Sequence, residues 1–335
     1  MKKIISVLLC VVLALLCAVP ALAVCDGPES FGAYKHVFII GVDGAGRFFN
    51  EAQTPEFDRI FEDGAVDYTA RAEIITTSAQ NWGAILTGVS FLQHGLTNDI
   101  TGSEERSSDT EYPTIFKYVR DAMPDAELAS IVNWDNISSG IIENDINVTK
   151  LYPGNDDEGV CEAVCDYFNA GNAPSLFFVQ LDSVDHVGHE LGSKADEYFK
   201  QIEKVDGYLG RMYNAIEANG LMEDGLFIVV ADHGHTIPGG HGGITKRETD
   251  VTVAVKGKTV VSGGKMDLIT RNRDVAAIAL YALGVERPDH MTARVPACLF
   301  RDVLGEIRFV KNDYADRILS SLSWIITVIT GMFGF

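Results

Sequence analysis

Short apolar runs alternate along this chain with longer stretches in which apolar residues recur every three or four positions. Lys35–Val42, Glu127–Asn133, Ser175–Leu181, Gly225–Ala231 and Val251–Val255 are rich in Val, Ile and Phe and bounded by turn residues, the pattern of strands buried on both faces. Asn81–Leu86, Pro113–Ala122, Gly159–Asn169, Ala195–Ala218 and Arg273–Leu283 carry helical spacing. No repeat or low-complexity linker interrupts residues 31–310, so the alternation predicts one α/β domain with a mostly parallel central sheet and helices on both faces.

The two ends depart from this pattern. Lys2-Lys3, an uncharged run from Ile4 to Val19 and Ala21-Leu22-Ala23 form the three parts of a secretory signal peptide, residues 1–23, which predicts an extracytoplasmic protein, secreted or held in the cell envelope. A lipid anchor through Cys25 fits less well, because Val24 stands where a small residue is expected. Residues 318–335 are an uncharged C-terminal segment with a polar stripe of Ser320, Ser323, Thr327 and Thr330. As a helix it is just short of a membrane span, which leaves lying on a membrane, docking on the domain or disorder as readings.

Composition narrows the function. The chain has 335 residues, 47% hydrophobic, and a net charge of −20 that becomes −22 once Lys2 and Lys3 leave with the leader. That balance opposes binding to a nucleic-acid polymer, and an anionic substrate would need local positive charge such as metal ions. Outside the leader the cysteines are Cys25, Cys161, Cys165 and Cys298; Cys161 and Cys165, four apart on a predicted helix, are too widely spaced for an easy bridge and are expected to be buried thiols.

Three predicted strands run into an acid: Val42 into Asp43, Leu181 into Asp182 and Asp185, and Ala231 into Asp232-His233. Ligands bind beyond the carboxyl ends of such strands, where clustered carboxylates repel one another unless a cation intervenes. Asp185 and His189 are four apart, Asp232 and His233 adjacent, and His241 sits in a Gly-rich loop, with His186 and His235 as rival ligands. Neutral imidazole with carboxylate suits zinc, then manganese or another transition ion. Ser78 lies where an extended segment passes into a helix, a position that serves as an N-cap or, beside metal ions, as a nucleophile; Thr76 and Thr77 are its rivals. Glu104–Pro113 and Trp134–Pro153 read as irregular loops walling a pocket, with Trp82 or Trp134 placed to stack on a base or sugar.

Gly41-Val42-Asp43-Gly44, Ser78-Ala79-Gln80-Asn81 followed by Leu86-Thr87-Gly88 and His94-Gly95-Leu96-Thr97-Asn98, then Asp185 with Gly188-His189, Asp232-His233-Gly234 and Gly240-His241-Gly242 occur in an order that resembles the alkaline phosphatase superfamily, and within it the type I phosphodiesterase/nucleotide pyrophosphatase branch. The resemblance implies two divalent metal ions, zinc foremost: one held by Asp185, His189 and His241, the other by Asp43, Asp232 and His233 with the oxygen of Ser78. It implies Ser78 as nucleophile and Asn81 as donor to a phosphoryl oxygen, and a small phosphate ester, a nucleotide or similar, as substrate. Many eukaryotic relatives carry threonine followed by Phe-Pro-Asn where this chain has Ser-Ala-Gln-Asn. The expected activity is phosphodiester or pyrophosphate hydrolysis. A phosphomonoesterase of the same superfamily is the alternative, and a non-catalytic metal- or glycan-binding surface module the alternative of another class.

Overall fold

The computed structural model describes residues 30–154, 156–263, 270–296 and 299–301. Seven strands form one sheet: β1 (His36–Val42), β2 (Ala65–Arg71), β3 (Leu128–Val132), β4 (Thr149–Leu151), β5 (Leu176–Leu181), β6 (Gly225–Ala231) and β7 (Asp250–Lys256), in the order β2-β7-β6-β1-β5-β3-β4. β6, β1, β5, β3 and β4 run parallel, while β7 is antiparallel to both β6 and β2. All five predicted strands and all five predicted helices are present, with ends shifted by up to three residues.

β1, β5 and β6 are buried nearly throughout, which is why their sequences read as unbroken apolar runs rather than alternating ones. The helices Asp157–Asn169 and Asp196–Ala218 pack on each other and the helix Asp274–Leu283 is buried over nearly its whole length, so apolar layers enclose the sheet.

The sequence pattern misses the sheet margins. β2 is only partly buried and β4 is three residues long, half-exposed and paired with β3 alone, so neither carries a period of two. Trp134–Pro153, expected to be irregular, holds β4 and the helix Asp135–Gly140, a six-residue helix in which every residue but Ile137 is Asp, Asn, Ser or Gly, a composition that argues against it. Glu104–Pro113 does lack regular structure. Among the described residues no helix is long and apolar enough to cross a membrane. The leader, the segment 318–335, Cys25 and Cys298 lie outside the described residues; Cys161 is a buried free thiol and Cys165 a half-buried one.

Candidate metal centre

The register of the three central strands brings the acidic residues to one rim. Val42 of β1 pairs with Leu181 of β5 on one side and Ala231 of β6 on the other, so Asp43, Asp182 and Asp232 leave the sheet at the same level. β5 leads into the helix Ser183–Leu191, which presents Asp185 and His189 one turn apart on the same face. This helix lies against His235: a Cβ on Gly188 would stand 2.3 Å from its ring, so only glycine allows the approach. The glycine-rich loop after β6 brings back His241, whose ring stacks on that of His233 at 3.8 Å.

Two groups of donors result. Asp43, Asp232 and His233 form the first and Asp185, His189 and His241 the second, the ligand atoms of each within 4.8 Å of one another; those of Asp185, His233 and His235 lie equally close. In the first group each carboxylate has one oxygen satisfied by the protein. Asp43 Oδ2 accepts from Trp82 Nε1 (2.7 Å) and Gln180 Nε2 (3.1 Å), and Asp232 Oδ1 accepts from the backbone N–H groups of Gly44 and His233. The other oxygens, Asp43 Oδ1 and Asp232 Oδ2, are buried without a hydrogen-bond partner and stand 3.5 and 3.1 Å from His233 Nε2. Buried orphan oxygens are costly, and a cation bound between them and the imidazole relieves that cost.

The second group is built alike. His241 Nδ1 donates to the carbonyl of Thr76, which leaves Nε2 as a bare lone pair facing His189 Nε2 at 2.9 Å and Asp185 Oδ1 at 3.6 Å. His189 Nε2 also lies 3.3 Å from Asp185 Oδ2. Two imidazole nitrogens and a carboxylate converging on one point fit a transition-metal ion.

Without cations the electrostatics are strained. Burial, then the neighbouring carboxylates, raises Asp43 well above the usual carboxylate range, and burial does the same to Asp232. Burial opposes ionisation of Asp185 too, but hydrogen bonds from His189 and His235 outweigh it and hold that carboxyl low. Burial keeps His233 and His241 neutral, the form in which imidazole binds metal.

Ser78 begins the helix Ser78–Thr87, with Thr77 in the cap position, so its hydroxyl is not spent on capping and faces His233 Nε2 at 3.3 Å. The residues leading to it are held under strain. Ile75 has φ +75°, a region that β-branched residues avoid at a cost of about 1–3 kcal/mol. Thr76 and Thr77 are otherwise engaged: Thr76 Oγ1 joins the backbone of Gly242 and Gly243, and Thr77 Oγ1 donates to Gln80.

Asn81, which the resemblance implies as donor to a phosphoryl oxygen, has both ends of its amide engaged within the protein. It is fully buried, its Nδ2 donates to the carbonyls of Ile75 and Thr77, and its Oδ1 accepts from Glu73 N and Asn272 Nδ2. It therefore clamps the strained turn. Asn98 stands in the more open place: it is exposed, its Oδ1 accepts from Ala79 N beside Ser78, and its amide hydrogens have no protein acceptor among the described residues. Of the rival ligands, His186 is exposed and pairs with Glu190, whereas His235 is buried with Nε2 2.9 Å from Asp185 Oδ1. Trp82 is buried against Phe178 and its N–H is spent on Asp43, so it offers no stacking face; Trp134 is half-buried.

The family profile described as type I phosphodiesterase / nucleotide pyrophosphatase matches residues 37–244. Curated relatives include GPI ethanolamine phosphate transferase 2 of Aspergillus fumigatus (30% identical over 74 residues, 22% of this chain and 10% of the relative). Another is the catalytic subunit of GPI ethanolamine phosphate transferase 3 of Mus musculus (28% over 148 residues, 43% and 13%). The match spans little more than a tenth of the length of these relatives. Among solved structures, murine ectonucleotide pyrophosphatase / phosphodiesterase 5, in an inactive form in complex with AMP, is 14% identical with a TM-score of 0.62, covering 76% of this chain and 96% of that one. The lipoteichoic acid synthase LtaP of Listeria monocytogenes is 12% identical with a TM-score of 0.59, covering 82% and 78%. At these identities the likeness is one of fold.

Proposed function

The chain belongs to the type I phosphodiesterase/nucleotide pyrophosphatase family, and we propose that it is a phosphoric ester hydrolase that cleaves small phosphodiesters or pyrophosphates, nucleotides among them, with Ser78 as nucleophile. The observation that carries this reading is the pair of orphaned buried oxygens, Asp43 Oδ1 and Asp232 Oδ2, converging with His233 beside the Ser78 hydroxyl.

Asp43, Asp232 and His233, with Ser78 Oγ, would hold one divalent ion, and Asp185, His189 and His241 a second. Zinc is the best match to this donor set. Such ions, when bound, supply Lewis-acid charge that favours the serine alkoxide and offsets negative charge on the phosphoryl oxygens. The rigid helix start presents Ser78 Oγ to phosphorus; the new O–P bond forms as the bond to the leaving oxygen breaks, and the ester on Ser78 is then hydrolysed. Asn98, anchored through Oδ1, directs its free amide hydrogens toward a phosphoryl oxygen beside Ser78, and we assign to it the donor role that sequence reasoning gave to Asn81.

The transferases among the curated relatives favour a second reading, in which an alcohol in place of water receives the group from Ser78. The leader-like residues 1–23 support action outside the cytoplasm, checked by the N-terminus of the exported protein. The central test is bound-metal content together with turnover of a chromogenic diester, a dinucleotide and a chromogenic monoester, with and without an acceptor alcohol. Ser78→Ala is expected to lower diester turnover by on the order of 10³-fold or more while still binding metal. Equal rates in parent and variant would remove Ser78 from this role, and product carrying the alcohol would favour transfer.

A further inference from the structure

Gln180 is fully buried in the middle of the sheet, near the end of β5, opposite Gly41 of β1 and Val132 of β3. Its side chain makes four hydrogen bonds. Oε1 accepts from the backbone N–H groups of Asn133 (3.2 Å) and Trp134 (2.9 Å), where the chain leaves β3. Nε2 donates to Asp43 Oδ2 (3.1 Å) and Asp182 Oδ1 (2.8 Å). The amide cannot turn over, because the flipped form sets its oxygen against two carboxylates and its NH₂ against two N–H donors.

We propose that Gln180 is a positioning residue: its locked amide, together with Trp82 Nε1, occupies Asp43 Oδ2 and so aims Oδ1 at the point it shares with Asp232 and His233. The same amide also donates to Asp182 Oδ1, just beyond the end of β5, which fixes the orientation of the Gln180 side chain. A buried carboxylate with one oxygen pinned has one orientation for its free oxygen, and partners that orient a ligand in this way typically change metal affinity by about 10–100-fold. This inference rests on the metal-centre reading above.

The test is a stepwise zinc titration of the full-length protein against a competing chromophoric chelator, for the parent, Gln180→Met, Gln180→Glu and Trp82→Phe. The parent is expected to bind two equivalents. Gln180→Met is expected to weaken one equivalent by about 10–100-fold and leave the other within about threefold. Gln180→Glu has nearly the same shape but presents an acceptor to Asp43 and Asp182, so it is expected to weaken the same equivalent further. Trp82→Phe removes the other donor to Asp43 Oδ2 and is expected to act on that equivalent too.

A parent that binds no zinc would overturn the metal-centre reading itself. If the parent binds two equivalents, unchanged binding in both Gln180 variants overturns the proposal. So does equal weakening of both equivalents, or failure of both variants to fold by near-UV circular dichroism, since either assigns Gln180 a purely structural role.

Discussion

At the scale of single residues, the two asparagines near Ser78 are distinguished by what surrounds them. Asn81 is buried with four hydrogen bonds, two of them to carbonyls of the turn that contains Ile75 at positive φ. Asn81→Ala leaves several buried groups unpaired and is expected to cost about 2–4 kcal/mol, measured by chemical denaturation. Asn98 is exposed, so Asn98→Ala is expected to cost at most about 1 kcal/mol but to lower kcat by about 10²-fold. Unequal effects on stability and rate, in that sense, would establish the division of labour. Both residues are visible as motif letters, but side chains three and twenty positions after Ser78 carry no sign in sequence of which faces the site.

His94 gives a residue-scale prediction of another kind. It donates from Nε2 to the Gln80 carbonyl and accepts at Nδ1 from Leu96 N, tying the loop that carries Asn98 to the helix of Ser78. Burial lowers its pKa from 6.5 to about 3, so the folded chain keeps this imidazole neutral. Above about pH 6.5 both folded and unfolded states are neutral and pH has no effect through this group. As pH falls toward 3 the unfolded chain takes up a proton that the folded chain refuses, and stability is lost. By pH 5 the loss is about 2 kcal/mol. Denaturation midpoints at pH 7 and pH 5 are expected to lie closer together in His94→Gln than in the parent.

Between elements, the decisive contact is that of the helix Ser78–Thr87 with β1. A Cβ on Gly41 would stand 2.4 Å from the Trp82 ring, so the strand must carry glycine for the helix to come close enough for Trp82 Nε1 to reach Asp43. Gly41→Ala is expected to cost about 1–3 kcal/mol by overpacking and also to weaken zinc binding, both seen by comparing melting temperature and titration with the parent. The central strands and long helices were legible because burial writes itself into the spacing of apolar residues. β4 and the short helices were not, because one or two turns or three edge residues bury too little surface to impose a pattern.

For the whole molecule, a net charge of −20 surrounds a rim where three adjacent strands deliver buried carboxylates. Packing there sets carboxylates against one another and leaves Asp43 Oδ1 and Asp232 Oδ2 without a hydrogen-bond partner. Cations that bind only the folded form stabilise it, by an amount that grows with the logarithm of their affinity. Chelation is therefore expected to lower the melting temperature by several degrees, and readded zinc to restore it. An unchanged melting temperature on chelation would mean that the donors hold no ion.

The chain order of the motifs, the alternation of buried strands and amphipathic helices, and the presence of acids and histidines where strands end were all determined by the sequence, because local spacing and burial are written in residue type. Tertiary structure alone decided that β5 and β6 flank β1 in matching register, that each carboxylate of the first group keeps one oxygen free, that Asn81 braces a turn while Asn98 stands open, and that Gln180 binds Asp43 from 137 residues away. Those are relations between distant segments, fixed by packing and by the need to pair every buried polar group, and no spacing along the chain encodes them.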